Sequence, residues 1–209
     1  MGRYYDVTMK LKNSMAIFEG DPEFKMENLY NIKEHGYNVS SLNLGTHTGT
    51  HIDAPRHFFE DGTAVDSIPV EKLVGKAKVF FIDKDSIDYE DIKDLNIEKH
   101  DKIIFKTPNS RFIDHCEFHK DFTALTKEAA EFLVKQEIHM VGIDYMSIES
   151  FYSEDEKVHE ILLSNEVVIL EYLDLREIEE GQYEITALPL RIKDGDGSPA
   201  RVILREVNR

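Results

Sequence analysis

His47-Thr48-Gly49-Thr50-His51-Ile52-Asp53-Ala54-Pro55-Arg56-His57, HTGTHIDAPRH, carries three of the nine histidines of the chain. The stretch is too rich in glycine and threonine for a helix. It continues a segment beginning at Tyr37 in which polar and apolar residues alternate, so the spacing predicts a strand entering the histidine cluster. Wherever the backbone is extended, His47, His51 and Asp53 share one face, because side chains on a strand repeat every two residues. Pro55 ends regular pairing. Two imidazoles and a carboxylate form a borderline-soft donor set suited to zinc, and open to manganese or iron. A plainer alternative is a polar strand end whose histidines only form hydrogen bonds. Three histidines and an aspartate this close favour a metal.

Working outward, YYDVTM, KAKVFFID, DKIIFKT, IHMVGID and VVILEYL read as strands, rich in Val, Ile and aromatic residues. YEITALPLRI and ARVILREV pair around the turn DGDG at 194–197. TKEAAEFLVKQ is a helix with Thr126 as its N-cap and an apolar face of Ala129, Ala130, Leu133 and Val134. EKVHEILLSN is a short helix ending near Ser164. Strands interleaved with a few helices predict an α/β chain with a mixed sheet. No Gly/Ser- or Pro-rich linker divides the 209 residues, which predicts one domain.

A metal site needs further ligands or open positions for water. His159 in EKVHEILL and Glu171 in VVILEYL are the best candidates. Glu171 is the one acid in an apolar strand, either at an edge in water or held inside by a partner or a metal. His35, His100, His115, His119 and His139 lie in no local constellation. Cys116 and His119 lack the second ligand pair that a structural zinc site needs. DGDGSPARV has Pro199 where a calcium loop needs glycine. No phosphate-cradling loop or nucleophile elbow is present.

The formal charge of −16 excludes a polyanionic partner such as nucleic acid. One cysteine, no apolar leader and no run long enough to span a bilayer predict a cytoplasmic protein with no membrane partner.

HTGTHIDAPRHF resembles the H-x-G-T-H-x-D-x-P-x-H pattern of the cyclase-like metal hydrolases, which include bacterial kynurenine formamidase (arylformamidase) and isatin hydrolase. VGIDYMSIES, VHEILLSNEVVILEYLDL and LPLRIKDGDGSPARVIL are similar to further stretches of that family, so the resemblance covers nearly the whole chain. It implies a fold of the swivelling β/β/α type, with a mixed sheet or barrel-like core and a few flanking helices. It also implies two divalent ions, zinc first and manganese second. His47, His51 and Asp53 would hold one ion. Asp53 would bridge to the other, held also by His159 and Glu171. His57 would be the catalytic acid/base, acting with a metal-bound hydroxide on a small-molecule amide. A homodimer or homotetramer is implied as well. Phe18 falls where kynurenine formamidases carry a tryptophan, and Glu19 replaces a proline. Phe18 is thus a candidate substrate-binding residue, with a core phenylalanine as the alternative. The leading reading is an amide hydrolase. A cyclic-amide hydrolase, a lactonase or a dehydratase/cyclase on the same site stands second, and a non-catalytic binding module last.

Overall fold

A computed structural model describes residues 2–154 and 157–207. After β1 (Tyr4–Asp6), the chain forms an arm of β2 (Lys25–Tyr30), α1 (Ile32–His35) and β3 (Val39–Asn43). Then come β4 (His51–Asp53), α2 (Val70–Leu73), β5 (Val74–Phe81), β6 (Ser86–Ile87), α3 (Tyr89–Ile92), β7 (Lys102–Lys106) and β8 (Ala124–Leu125). The last elements are α4 (Lys127–Lys135), β9 (Met140–Ile143), α5 (Lys157–Ser164), β10 (Val168–Glu171), β11 (Gly181–Pro189) and β12 (Gly197–Glu206).

Seven strands close on themselves in the order β12-β11-β5-β7-β9-β10-β4, with β4 returning to β12. The central run β5-β7-β9-β10 is parallel and the remaining pairings are antiparallel. Closure removes the open edges that an open sheet must shield. β12 achieves it by being long. Gly197–Pro199 pair with β4, while Ile203–Arg205 pair with β1, which lies outside the ring. This is the mixed, barrel-like sheet that the sequence predicts.

Side-chain alternation sorts the strands into two cores. Ile52, Val79, Ile104, Met140, Leu170, Ile185 and Val202 point into the barrel. Ile103, Phe105, Val141, Ile143 and Ile169 point outward, against Ala129, Ala130 and Leu133 of α4 and Val158 and Leu162 of α5. Each such aliphatic side chain contributes roughly 1.5–3 kcal/mol on full burial. The predicted cap of α4 is present, with Thr126 Oγ1 accepting from the Ala129 N–H. A third cluster seats the N-terminal segment: Met15, Ala16 and Phe24 pack on Phe122, Tyr145 and Tyr172, with Phe18 against them. The segment after β9 is fixed by Asp144, which is fully buried and accepts from the Thr107 N–H, the Thr107 hydroxyl and the Ser110 hydroxyl.

Two expectations need correction. The alternation from Tyr37 to Asp53 is not one strand; residues 46–50 form a turn between β3 and β4. The Gly45 N–H donates to Thr48 Oγ1, and Gly49 has φ +68, a left-handed conformation that strains other residues. Threonines at every second position mimic strand alternation, but local hydrogen bonding of the Thr48 side chain wins. The first strand is also shorter than YYDVTM, covering Tyr4–Asp6 only.

Candidate metal centre

β4 is the hub of the site. It runs between β10 and β12, so its residues 51–53 face ligands from distant parts of the chain. Register sets Glu171 opposite His51, and both Ile169 and Gly197 opposite Asp53. His47 arrives from the 46–50 turn, and its ring fits because Gly197 has no Cβ. A Cβ there would lie 2.8 Å from His47 Cε1 and 2.7 Å from the Ile52 carbonyl. His159 comes from α5 and stacks on Phe58, with ring centroids 5.2 Å apart. After Glu171 the chain turns sharply, with buried Tyr172 at φ +57, an uncommon conformation for a bulky residue. The turn is pinned by the Tyr172 N–H donating to the Tyr145 carbonyl at 2.7 Å.

Ligand atoms of His47, His51 and Asp53 lie within 4.8 Å of one another, as do those of Asp53, His159 and Glu171. Asp53 belongs to both groups. One of its oxygens, Oδ1, is 2.7 Å from His47 Nδ1 and 3.4 Å from His51 Nε2. The other, Oδ2, is buried without any hydrogen-bond partner, and is the one such side-chain atom among the described residues. It faces His159 Nε2 at 3.8 Å, which lies 3.4 Å from Glu171 Oε1. A buried carboxylate oxygen left unpaired is costly in a folded chain. A divalent cation beside it removes that cost, so the residues fit a metal.

The supporting partners also fit. His51 Nδ1 donates to the Gly49 carbonyl at 2.8 Å, leaving Nε2 toward Asp53 and Glu171. Glu149 accepts from His159 Nδ1 at 2.8 Å, leaving Nε2 toward Asp53 and Glu171. Asp196 accepts from His47 Nε2 and from the Thr46 hydroxyl, both at 3.0 Å. Each imidazole thus has one nitrogen held by the protein, the arrangement that orients metal-binding histidines. Asp196→Asn is expected to weaken zinc binding by ~10–100-fold, measured by competition with a chelator; unchanged affinity would remove the orienting role.

Charge follows geometry. Burial acts to lower the His47 imidazole, but Asp53 and Asp196 overcome it and raise it to about 9. Burial likewise opposes His159, while Glu149, Glu171 and Asp53 raise it to about 10. Burial acts to raise Asp53, but the surrounding histidines hold it well below the usual carboxylate range. In the metal-free chain, protons on the histidines therefore neutralise the carboxylates. A histidine raised in the folded state stabilises fully below its unfolded value near 6.5 and loses that contribution as pH rises through its folded value. Chelator-stripped protein should thus lose stability between about pH 6.5 and about 10, read as a falling urea midpoint. The zinc-loaded protein should hold its midpoint across that window.

The site opens into a cleft of about 540 Å³ lined by Phe18, Asp21, His57, Phe58, Met146 and Phe151 along with the ligand set. Phe18 lines the cleft and also packs on Phe118 and Phe151, ring centroids 4.9 and 5.9 Å away. His57 is exposed, on the turn Pro55–His57. Partial loss of water around its ring at the cleft wall and the charges of His47 and His159 lower it, against the pull of Asp53. Sequence reasoning missed Glu149, Asp196 and Asp21. Asp196 was hidden in a turn motif, and nothing in the local spacing marks the other two.

A family model described as "Putative cyclase" matches residues 5–150. The chain belongs to this cyclase family. Its relatives include a kynurenine formamidase of Erythrobacter litoralis, 35% identical over 98% of this chain and 94% of that one. Another, from Bacillus cereus, is 32% identical over 98% of both. Among solved structures, a protein described as a potential metal-dependent hydrolase with cyclase activity superposes with a TM-score of 0.88 at 34% identity, covering 100% of both chains. Isatin hydrolase A from Ralstonia solanacearum superposes at 0.84 with 23% identity, covering 98% and 92%, a likeness of fold alone. The ligand groups of this cyclase-family chain fit a metal cofactor. Among its described residues no helix is long and apolar enough to cross a membrane.

Proposed function

We propose that the chain is a metal-dependent hydrolase that cleaves a C–N amide bond, with an N-formyl aryl amide such as N-formylkynurenine as its substrate class. The observation that carries this is the orphaned Asp53 Oδ2 between two groups of ligand atoms. Two ions are assigned, zinc first and manganese second. His47, His51 and Asp53 hold one; Asp53, His159 and Glu171 hold the other. When bound, such ions supply a nucleophile from water at neutral pH and polarise a carbonyl. The kynurenine formamidase names of the relatives above support the amide and its aryl group.

The protein's own residues do the rest. Phe18, Phe58 and Phe151 offer aromatic walls for an aryl ring. His57, lowered and so neutral near pH 7, accepts a proton from the attacking water and passes it to the leaving nitrogen. No protein nucleophile is needed. Glu149 and Asp196 keep the two histidines in the ligating tautomer. The arm of β2 and β3 is exposed along its whole length and presents Met26, Leu29, Tyr30 and Leu42. We assign that apolar surface to association of chains into a homodimer or homotetramer.

The test is metal per chain on tag-free protein purified without chelators, followed by turnover of formyl-anilides against lactones. Close to two ions and preference for the anilide are expected. No ion after incubation with zinc and manganese, or preference for lactones, overturns the assignment.

A further inference from the structure

His57 makes no side-chain hydrogen bond or ion pair among the described residues, although its ring stands beside those of His47 and His159. Its ring lies on that of His47, with centroids 4.1 Å apart and planes at 34°. Ligand atoms of His57, His47 and Asp196 lie within 4.8 Å of one another, a third group distinct from the two that meet at Asp53. His47 already directs Nδ1 to Asp53 and Nε2 to Asp196. Asp196 has its Oδ2 engaged by Thr46 and His47, while Oδ1 accepts from no side chain among the described residues.

The geometry points to a third, weaker divalent-cation site, formed by His57 and Asp196, at which excess metal inhibits the enzyme by occupying its acid/base histidine. This rests on the function proposed above. An imidazole nitrogen and a carboxylate oxygen are both zinc donors. With two protein ligands and water for the remainder, this site binds less tightly than the sets of three that share Asp53, so it fills last. Its position is favourable for a cation, because Asp21 lines the same cleft and the whole chain carries −16. A nitrogen lone pair that holds a cation cannot accept a proton. Filling the site therefore removes the acid/base step while leaving the two ligand sets intact. Asp196 then serves both ends of the range: it orients His47 when metal is scarce and captures metal through His57 when metal is abundant.

The test is a calorimetric titration of zinc into chelator-stripped full-length protein, comparing the parent with His57→Gln. Both carry His115→Asn, because exposed His115 and half-buried His119 approach to 2.5 Å and would offer zinc a separate site. The expected result is two tight events and one weaker event in the parent, with only the weaker one missing in His57→Gln. In the parent, formyl-anilide turnover should fall by ~10²-fold over the zinc range of the weaker event, the size of a lost acid/base contribution. A weaker event that persists in His57→Gln, or turnover that is flat across that range, overturns the proposal. Missing tight events in both proteins overturn the two-metal assignment instead, because the weaker event is scored on its own.

Discussion

Asp53→Ala is expected to leave the chain folded but unable to hold either metal tightly, with metal affinity reduced by more than ~100-fold, beyond the loss typical of an orienting partner. The reason is topological. Asp53 is the one residue common to both ligand groups, with Oδ1 toward His47 and His51 and Oδ2 toward His159. Removing it deprives both groups at once, whereas loss of His47 or His159 touches one. Emission spectrometry on dialysed protein reads the result directly. In the metal-free state the substitution also takes from His47, His51 and His159 one of the carboxylates they face, leaving Asp196, Glu171 and Glu149. Circular dichroism should therefore accompany the metal measurement. A folded variant that retains two ions would show that Asp53 does not bridge, and the proposed centre would have to be redrawn.

His57→Ala is the second large effect, and it should separate chemistry from binding. Turnover is expected to fall by ~10²–10⁴-fold, the usual range for a general acid/base, with metal content unchanged because His57 is outside both ligand groups that share Asp53. The parent enzyme should gain activity as pH rises through a limb below the ordinary histidine value of 6.5, since desolvation at the cleft wall and neighbouring histidines lower His57. That limb should be absent from the residual activity of the variant. Parallel loss of tightly held metal and turnover would instead make His57 a ligand of the centre at Asp53.

Much of this was legible in the sequence because the relevant signals are local. The period-two strands, the capped helix over Lys127–Lys135 and the hairpin around DGDG each depend on neighbours along the chain. The motif from His47 to His57 is itself contiguous. What was not legible depends on closure of the barrel. Glu149 and Asp196 are ordinary acids in their own segments and acquire a role only when β9, β10 and β12 bring them beside His159 and His47. The turn at residues 46–50 resembles a strand in the sequence because its threonines alternate, while Thr48 accepts locally from the Gly45 N–H and Thr46 and Thr50 donate to distant Asp196 and Tyr172. Glu171 was ambiguous for a related reason. An acid in an apolar strand is settled by what lies opposite, and here that is His51.

The way β12 closes the ring bears on the life of the protein before it is an enzyme. Asp53 is synthesised early, yet β4 is held by β10 on one side and by Gly197–Pro199 on the other. A nascent chain that has emerged only through residue 170 has the whole HTGTHIDAPRH motif and no place to put it. His51 meets Glu171 when β10 pairs with β4, whereas His47 meets Asp196 only when the start of β12 docks, a contact of long sequence separation. The five metal ligands are thus all made before β11 and β12, while the partner that orients His47 is supplied last, so the tightest metal binding awaits completion of the barrel.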